Sequence, residues 1–391
     1  MPDHILIPYG RQCIDADDIE AVVDVLRSDW LTQGPAIERF EQEVARYCGA
    51  AHAIAVSNGT AALHLACLAL KVGPGDTVWT TPNTFVASAN CALYCGANVD
   101  FVDIDPRTFN MSPELLAAKL EKAETQGRLP KVIVAVDFGG QPCELKQIAL
   151  LAKRYGFHVL EDASHALGAE YCGSKVGSNA YSDITVFSFH PVKIMTTGEG
   201  GMALTNDPEL ARRFRLLRTH GITRDPSAMS GAIEGGWYYE QLELGFNYRM
   251  TDIQAALGSS QLRKVDQFIA RRSQLARQYD QALRELPLRP AEQLEGSCSA
   301  YHLYVICLEQ ERGSRARRDV FSGLRQAGIG VNVHYIPVHT QPYYRRFGFK
   351  PEDFPNALRY YQGAISLPLY YGLTDEQQQY IIEKLKEQLS A

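Results

Sequence analysis

Between about residues 50 and 220, the pattern of apolar and polar positions alternates strand-like and helix-like segments. Short apolar runs indicate strands, whereas longer stretches of good helix formers without proline indicate helices. One run, at 131–137, is almost continuously apolar, as expected for a strand buried on both faces. The predicted strands are AHAIAVS (51–57), DTVWTT (76–81), VDFVDID (99–105), KVIVAVD (131–137), FHVLED (157–162), ITVFSFH (184–190) and GMALTN (201–206).

Helices are predicted between these strands, at GTAALHLACLAL (59–70), TFVASANCALYC (84–95) and ELKQIALLAKRYG (144–156). A further helix opens at Ser112-Pro113-Glu114, with a serine N-cap and a proline at the first helical position. Alternating strands and helices predict a mostly parallel sheet covered on both sides. Ligands bind beyond the carboxyl ends of the strands in such sheets, so the residues that follow each strand are the candidates for function.

The pattern changes after about residue 260, where a long charged helix (262–286) is predicted as a connector. A smaller α/β unit follows, with the last helix opening at Thr374 and Gln377 in the spacing of a capping box. A chain of 391 residues exceeds the size of most single cores, so we expect a large domain (1–260) and a small C-terminal domain (261–391). The N-terminal helix, in DADDIEAVVDVLRSDW (15–30), could belong to either domain. The elements predicted for the smaller unit are a strand YHLYVICLE (301–309), a helix RARRDVFSGLRQAG (315–328) and a strand GVNVHY (330–335).

Composition excludes several classes of function. The chain is 46% hydrophobic and 21% charged with a net charge of −6, so it has no basic surplus with which to bind nucleic acid. Its 9 cysteines include no C-x-x-C pair, which favours reduced thiols in a cytoplasmic protein and argues against a disulfide framework or a metal site. The opening MPDHILIPYG lacks the pattern of a signal peptide, and no stretch approaches the roughly 20 apolar residues of a membrane span.

Candidate chemistry follows the predicted strands at four places. Ser57-Asn58-Gly59-Thr60-Ala61-Ala62 joins a strand to a helix start, where backbone N–H groups and the helix dipole favour a phosphate. The alternative is an ordinary tight turn. Glu161-Asp162 closes another strand, where an acid could face a protonated ring nitrogen or could cap the next segment.

The other two places lie on either side of a lysine. Ser188 and Lys193 follow a strand in the segment FSFHPVK, whose flanks are unusually apolar and glycine-rich for a surface lysine. A desolvated lysine has a lowered pKa and becomes a usable nucleophile, although a lone lysine is usually a solvated charge. Gly198-Glu199-Gly200-Gly201 could bring the backbone close to a ligand or form a plain hairpin turn. A phosphate site, an acid and a lysine together fit pyridoxal phosphate, which has a phosphate, a basic ring nitrogen and an aldehyde.

With these residues in place, the sequence resembles the DegT/StrS family of sugar aminotransferases, which are fold type I pyridoxal-phosphate enzymes. The resemblance implies an aspartate aminotransferase-like α/β fold, with a large, mostly parallel mixed sheet and a smaller C-terminal α/β domain. Some family members have histidine in place of the lysine and are dehydratases, so Lys193 favours transamination. The motifs that carry the resemblance span nearly the whole chain in family order: IPYGRQ, LTQGP, SNGTAALH, TPNTFVASAN, EDASHALGA, SFHPVK, TTGEGG, NYRMTDIQAALG and VHYIP.

The resemblance also implies roles for single residues. Lys193 would bind the cofactor as a Schiff base and move the substrate proton, and Asp162 would hold the ring nitrogen protonated. Asn247 would reach the phosphate in the neighbouring subunit, which requires a homodimer. Phe85 would stack on the ring or pack in the core, Arg249 would bind the substrate phosphates or form a salt bridge, and His334 would face the substrate or be structural. The remaining implied residues are Gly59, Thr60, Ala61 and Ser188 at the phosphate, His165 beside the cofactor, and Tyr9, Thr32 and Gln33 on the substrate side.

Finally, the resemblance implies a reaction in two halves. L-glutamate would pass its amino group to the cofactor, and the pyridoxamine phosphate form would then aminate a keto sugar. IPYGRQCIDADDIEAVVDVL, SDWLTQGP and DASHALGAEY look most like members that act in pseudaminic acid biosynthesis, on C4 of a UDP-linked 4-keto-6-deoxy-N-acetylhexosamine of L-arabino configuration. The alternatives are a UDP-4-keto-pentose, a dTDP-linked sugar or amination at C3, then another fold type I activity such as a lyase, and last a non-catalytic regulator that binds pyridoxal phosphate.

Overall fold

The computed structural model describes residues 7–231 and 233–390. The opening MPDHIL, on which the expectation about a signal peptide partly rests, lies outside these residues. In chain order, the strands of the described part are β1 (His52–Val56), β2 (Thr77–Thr80), β3 (Asn98–Phe101), β4 (Val132–Val136), β5 (His158–Asp162), β6 (Glu170–Tyr171), β7 (Ser174–Lys175), β8 (Ile184–Ser188), β9 (Gly201–Thr205), β10 (Ile222–Thr223), β11 (Glu240–Gln241), β12 (Leu288–Pro290), β13 (Ser297–Cys298), β14 (Tyr304–Leu308) and β15 (Ala364–Leu367).

The helices of the described part follow the predicted alternation with the strands between residues 50 and 220. None of them is long and apolar enough to cross a membrane. The α-helices are α1 (Ala16–Arg27), α2 (Pro35–Cys48), α3 (Gly59–Ala69), α4 (Ala87–Tyr94), α5 (Pro113–Thr125), α6 (Leu145–Tyr155), α7 (Pro208–Leu217), α8 (Asp252–Leu262), α9 (Val265–Leu283), α10 (Arg317–Gln326), α11 (Pro342–Arg345), α12 (Pro355–Gly363) and α13 (Asp375–Ser390).

A seven-stranded sheet in the order β1-β9-β8-β5-β4-β2-β3 forms the centre of the fold. β8, β5, β4, β2 and β3 pair in parallel, and only β9 runs antiparallel, against both β1 and β8. All five residues of β4 are buried, as its continuous apolar pattern predicts. The mostly parallel mixed sheet expected from the sequence is therefore confirmed.

The register of this sheet brings the strand ends together at one edge. Asp162, the last residue of β5, lies opposite Val136 at the end of β4 and Val186 in β8. Ser188, the last residue of β8, lies opposite Gly201 at the start of β9. α3, which follows β1, is apolar on nearly all sides and is almost entirely buried. Residues that follow β1, β5 and β8 can therefore share one site.

A second, smaller sheet forms near the C-terminus, where β14 pairs antiparallel with both β12 and β15. α13 begins with the predicted capping box, because Thr374 and Gln377 each accept a hydrogen bond from the backbone of the other. The segment before α1 joins this part of the fold, since Ile7 bridges to Ile329 and the N–H of Leu369 donates to Tyr9.

α1 itself packs on α8 rather than on the small sheet. The amide of Gln261 donates to Asp18 at 2.6 Å, and Lys264 forms an ion pair with Asp18 at 2.9 Å. The N-terminal region thus contacts both parts of the molecule: its first residues lie against the small unit, and its helix lies beside the large sheet's helices. The domain boundary between residues 260 and 261 remains a prediction.

Several predicted elements differ from the structure. The connector helix predicted at 262–286 is α9, which spans Val265–Leu283, and the strand predicted from residue 301 begins at Tyr304. GVNVHY (330–335) is not a strand: only Asn332 forms a bridge, to Ser366 in β15, after which the chain leaves the sheet. The helix predicted from residue 84 begins at Ala87, and the strand predicted to residue 105 ends at Phe101. The strand ends early because the backbone of residues 103–105 pairs with residues 110–112 instead of continuing along β2.

Candidate active site

A cavity of about 700 Å³ lies at the carboxyl edge of the large sheet. It collects residues that are far apart in the sequence but follow neighbouring strands, as expected for a parallel sheet. Some of its lining residues come from the segment between β14 and α12, so both parts of the fold enclose it. The predicted site residues that line it are Tyr9, Gly59, Thr60, Ala61, Phe85, Asp162, His165, Ser188, Lys193 and His334.

Lys193 enters this cavity from the long connection between β8 and β9. Its backbone N–H donates to His190 at 2.9 Å, which folds the connection into a turn. Burial disfavours the ammonium form and lowers the pKa of Lys193 to about 8, and the charge of Asp162 only partly opposes this shift. A larger fraction of Lys193 is then uncharged at neutral pH than for a solvated lysine. The structure therefore favours the nucleophile over the alternative of a surface charge.

Asp162 is held by three donors on its two carboxylate oxygens. The hydroxyl of Ser88 donates to Oδ2 at 2.6 Å. The hydroxyl of Ser164 donates to Oδ1 at 2.6 Å, and the backbone N–H of Ser164 also donates to Oδ1 at 3.2 Å. Because an ionised carboxylate only accepts hydrogen bonds, these contacts fix the orientation of a charged Asp162. The contact to Ser164 closes a local turn, and the segment 163–169 that follows contains no helix for Asp162 to cap.

The turn between β1 and α3 has the features of an anion site. Asn58 is the N-cap of α3, and its side chain accepts the N–H of Ala61 at 2.8 Å. The N–H groups of Gly59 and Thr60, in the first turn, have no acceptor within the helix. A side chain at Gly59 would approach Ser188 Cβ to 2.9 Å, so glycine lets this turn pack on the end of β8. With Ala61 occupied by Asn58, Gly59 and Thr60 are the better candidates for a phosphate.

The glycine-rich segment 198–201, which leads into β9, packs against the turn between β1 and α3. A Cβ atom at Gly201 would lie 2.5 Å from the backbone of Asn58, so only glycine permits this approach. The segment is not a plain hairpin turn, because β8 and β9 are joined by residues 189–200, which carry Lys193. Glu199, within the same segment, lines the cavity.

His165 lies beside Asp162 in a defined protonation state. Burial, followed by the charge of Lys193, holds the pKa of His165 well below its usual value, so its ring is neutral. Its Nδ1 accepts the N–H of Gly139 at 3.2 Å, so the ring proton is on Nε2. Nε2 lies 3.2 Å from the hydroxyl of Tyr335, to which it donates.

Tyr335 was not predicted as a site residue, although it lies in the VHYIP motif. Its ring centroid is 6.1 Å from that of Phe85 and 6.2 Å from that of Phe138. Burial raises the pKa of Tyr335, which therefore remains a hydrogen-bond donor. Phe85 is 58% exposed and lines the cavity, so the alternative that it packs in the core is wrong.

His334 and Tyr9 form the wall of the cavity nearest the small sheet. Their ring centroids are 5.5 Å apart, and His334 Nδ1 lies 2.7 Å from the hydroxyl of Ser366. Burial, followed by the charge of Lys193, lowers the pKa of His334 to about 4, so this side chain is neutral at pH 7. His334 is thus held in place by a structural hydrogen bond and also lines the cavity. The two alternatives considered from the sequence, a structural and a substrate-facing histidine, therefore do not exclude each other.

Four predicted residues do not line the cavity of their own chain. Thr32 and Gln33 are exposed in the segment before α2. Asn247 is exposed and bridges to Thr219, whereas its neighbour Tyr248 does line the cavity. Arg249 is half-buried. Their predicted roles stay predictions, and a role for Asn247 requires a second subunit.

The side chains around the cavity fit pyridoxal phosphate as the sequence predicts. A lysine with a lowered pKa, a buried carboxylate with a fixed orientation and the N-terminus of α3 meet at one edge of the sheet. Within residues 7–231 and 233–390, no group of three or more His, Cys, Asp or Glu side chains could hold a metal ion.

Comparison with known proteins agrees with this geometry. Residues 12–386 match the model of the DegT/DnrJ/EryC1/StrS aminotransferase family. The chain is 40% identical to the spore coat polysaccharide biosynthesis protein SpsC of Bacillus subtilis, over 97% of this chain and 96% of that protein. It is 37% identical to the UDP-4-amino-4,6-dideoxy-N-acetyl-beta-L-altrosamine transaminase of Campylobacter jejuni, over 97% and 96% of the two chains.

Two solved structures superpose on nearly the whole chain. Spr1654 of Streptococcus pneumoniae, in its pyridoxamine phosphate form, has a TM-score of 0.88 and 32% identity over 98% of this chain and 99% of that one. Helicobacter pylori PseC, described as an aminotransferase in the biosynthesis of pseudoaminic acid, has the same score, identity and coverage.

Proposed function

Because the chain belongs to the DegT/DnrJ/EryC1/StrS family and is a pyridoxal-phosphate-dependent sugar aminotransferase, we propose that it aminates C4 of a UDP-linked 4-keto-6-deoxy-N-acetylhexosamine with L-glutamate as donor. The observation that carries the proposal is the cavity that Lys193 and Asp162 both line, taken together with the transaminase named among the relatives. The L-arabino sugar of pseudaminic acid biosynthesis is the proposed substrate.

Each side chain has a task in this reaction. Pyridoxal phosphate, when bound, supplies the aldehyde that takes up the amino group and the ring that stabilises negative charge at the reacting carbon. Lys193 would hold the aldehyde carbon through Nζ and would carry a proton at Nζ to and from the substrate carbon; burial lowers its pKa to about 8, which suits both tasks near neutral pH. Asp162 would hold a proton at the ring nitrogen. Gly59, Thr60 and Ser188 would hold the phosphate, and Phe85 would cover the ring.

The identity of the sugar rests on the relatives rather than on the geometry of the cavity. The Campylobacter relative is named for a UDP-linked altrosamine, and PseC for pseudoaminic acid. SpsC is more similar in sequence and is named for a spore coat polysaccharide. A different keto sugar is therefore the second candidate, supported by this higher identity.

Adding keto sugars one at a time to the amino form of the enzyme tests the proposal. The purified protein is loaded with pyridoxal phosphate, converted with L-glutamate and freed of glutamate. Its visible spectrum is then recorded with each of the two C5-epimeric UDP-4-keto-6-deoxy-N-acetyl sugars and with the UDP-4-keto-pentose. We expect the band of the lysine-bound cofactor to return with the L-arabino epimer alone, because the two epimers differ at C5, next to the ketone, and a site fitted to one configuration misplaces the C4 carbonyl of the other.

Two other outcomes would contradict parts of the proposal. If the band returns only with another sugar, the chain acts as an aminotransferase, but the proposed L-arabino substrate is wrong. A band that L-glutamate never bleaches would reject the donor.

We further infer that the enzyme is a cytoplasmic homodimer with shared active sites. Asn247 is exposed and lies outside the cavity of its own chain, and Phe85 and Tyr94, on the rim of that cavity, are more than half exposed. A second copy that covers this rim would bring its Asn247 to the phosphate. The cysteines within the described residues are free thiols, which supports the reducing compartment.

Mixed dimers of two inactive variants test the shared site. Lys193→Ala removes the nucleophile, and Asn247→Asp places a negative charge against the phosphate of the neighbouring subunit. When both chains are co-expressed, half of the dimers are mixed, and each mixed dimer contains one intact site. We expect recovery of about a quarter of wild-type activity in the purified mixture. Activity that stays at the level of the separate variants would show that each site is built from one chain.

A further inference from the structure

Asp162 is linked by hydrogen bonds through the hydroxyl of Ser88 to the hydroxyl of Thr84, and no step of the reaction uses either residue. Ser88, which donates to Asp162 Oδ2 at 2.6 Å, lies 2.7 Å from the hydroxyl of Thr84. Ser88 is 1% exposed and Thr84 is 2% exposed, so water does not compete for these contacts. The two residues are four positions apart, across the turn that opens α4.

The direction of the hydrogen bonds follows from the chemistry of the groups. A carboxylate has no proton to give, so Ser88 must use its single proton on Asp162. The contact between the two hydroxyls then has one possible donor, which is Thr84. The chain of bonds therefore runs from Thr84 through Ser88 to Asp162, and each donor strengthens the next bond.

We propose that Thr84 and Ser88 are positioning residues that form a hydrogen-bond relay to Asp162 and thereby keep a proton on the ring nitrogen of the cofactor. This inference rests on the proposed function of Asp162. Between Asp162 and the ring nitrogen, one proton is shared by two bases. Donors to the carboxylate stabilise its charge and leave the proton on the ring, where it is needed for the ring to accept electrons.

The relay predicts a graded series of variants. Ser88→Ala removes the donor to Oδ2, and a hydrogen bond to a charged group is worth about ten- to a hundredfold in an equilibrium. The proton should therefore move toward Asp162 by that factor. Thr84→Val keeps the shape of the side chain but removes its hydroxyl, so it should cause a smaller shift in the same direction. Thr84→Ser keeps the hydroxyl and should restore the wild-type state.

A matched control is provided by Thr80. This threonine is fully buried, and its hydroxyl donates to the carbonyl of Val134 at 3.0 Å, not to Asp162. Thr80→Val therefore makes the same substitution as Thr84→Val at a buried site outside the relay. It should leave the ring nitrogen unchanged.

The measurement is the ¹⁵N chemical shift of the ring nitrogen in holoenzyme loaded with ¹⁵N-labelled pyridoxal phosphate, which differs strongly between the protonated and free nitrogen. We expect the resonance of Ser88→Ala to move toward the free nitrogen and that of Thr84→Val to follow part of the way. The double variant should match Ser88→Ala, because Thr84 acts only through Ser88. Should Ser88→Ala not retain the cofactor, the pair Thr84→Val and Thr84→Ser makes the same comparison.

The possible outcomes separate the relay from the proposed function. If the ring nitrogen is protonated in the wild type and the variants show the same ¹⁵N resonance, the relay is wrong but the proposed function stands. Shifts of Thr84→Val and Ser88→Ala that simply add in the double variant would also overturn it. Wild-type protein that does not bind the labelled cofactor at all would overturn the site and the relay together.

Discussion

Replacing Lys193 by alanine is expected to abolish both the covalent retention of pyridoxal phosphate and the transfer of the amino group. The burial that lowers the pKa of this lysine to about 8 leaves a substantial fraction of reactive amine at neutral pH. Removal of a group that acts as nucleophile and proton carrier should lower the rate of the first half-reaction on the order of 10⁴-fold or more. Borohydride reduction followed by mass spectrometry of the peptides measures the adduct directly.

Two companion variants separate the chemistry of this lysine from its charge. Lys193→Arg keeps a positive charge near His165 and His334, whose pKa values the lysine helps to lower, but it has no amine that can react. We expect it to lack the adduct as well. Lys146→Ala changes an exposed lysine in α6 and should retain the adduct in full. An adduct that persists in Lys193→Ala would place the cofactor on another residue.

The central sheet was predictable because its strands are buried on both faces. β4 is a continuous apolar run and β5 is buried at four of its five positions, and such strands alternating with helices have few other solutions in a protein of this size. The small sheet was less predictable. Its third strand, β15, follows α12 with no turn residues between them, whereas the alternating pattern of GVNVHY is typical of a strand. His334 and Tyr335 leave the sheet to line the cavity, a constraint that the alternation does not reveal.

The proposed catalytic pair was predicted from the sequence, but its surroundings were not. Lys193 follows a predicted strand and Asp162 closes one, and each carries chemistry that needs a partner, so position and residue type were enough to propose them. Ser88 lies 74 residues from Asp162, and Tyr335 lies 170 residues from His165. A serine in a helix, such as Ser88, and a tyrosine in a loop, such as Tyr335, can have many structural roles. Only the three-dimensional contacts show which acid or ring they serve.

Asp162→Asn is expected to give the second-largest loss, and to give it without loss of the lysine adduct. Asparagine has nearly the same shape, and the hydroxyls of Ser88 and Ser164 can turn to meet its amide. The negative charge that holds a proton on the ring nitrogen is removed, so the ring becomes a weaker acceptor of electrons. We expect the single-turnover rate with L-glutamate, measured by stopped-flow absorbance, to fall about 10²- to 10³-fold.

Glu161→Gln is the matched control for this variant, because Glu161 is the neighbour of Asp162 in β5 and is equally buried. Its carboxylate points away from the cavity and accepts hydrogen bonds from Thr185 and Ser182. The same exchange of a buried carboxyl group for an amide, on the same strand but outside the cavity, should therefore leave the rate of amino transfer near that of the wild type. If Asp162→Asn transferred the amino group as fast as Glu161→Gln, protonation of the ring nitrogen would not depend on Asp162. Another group in the cavity would then have to hold that proton.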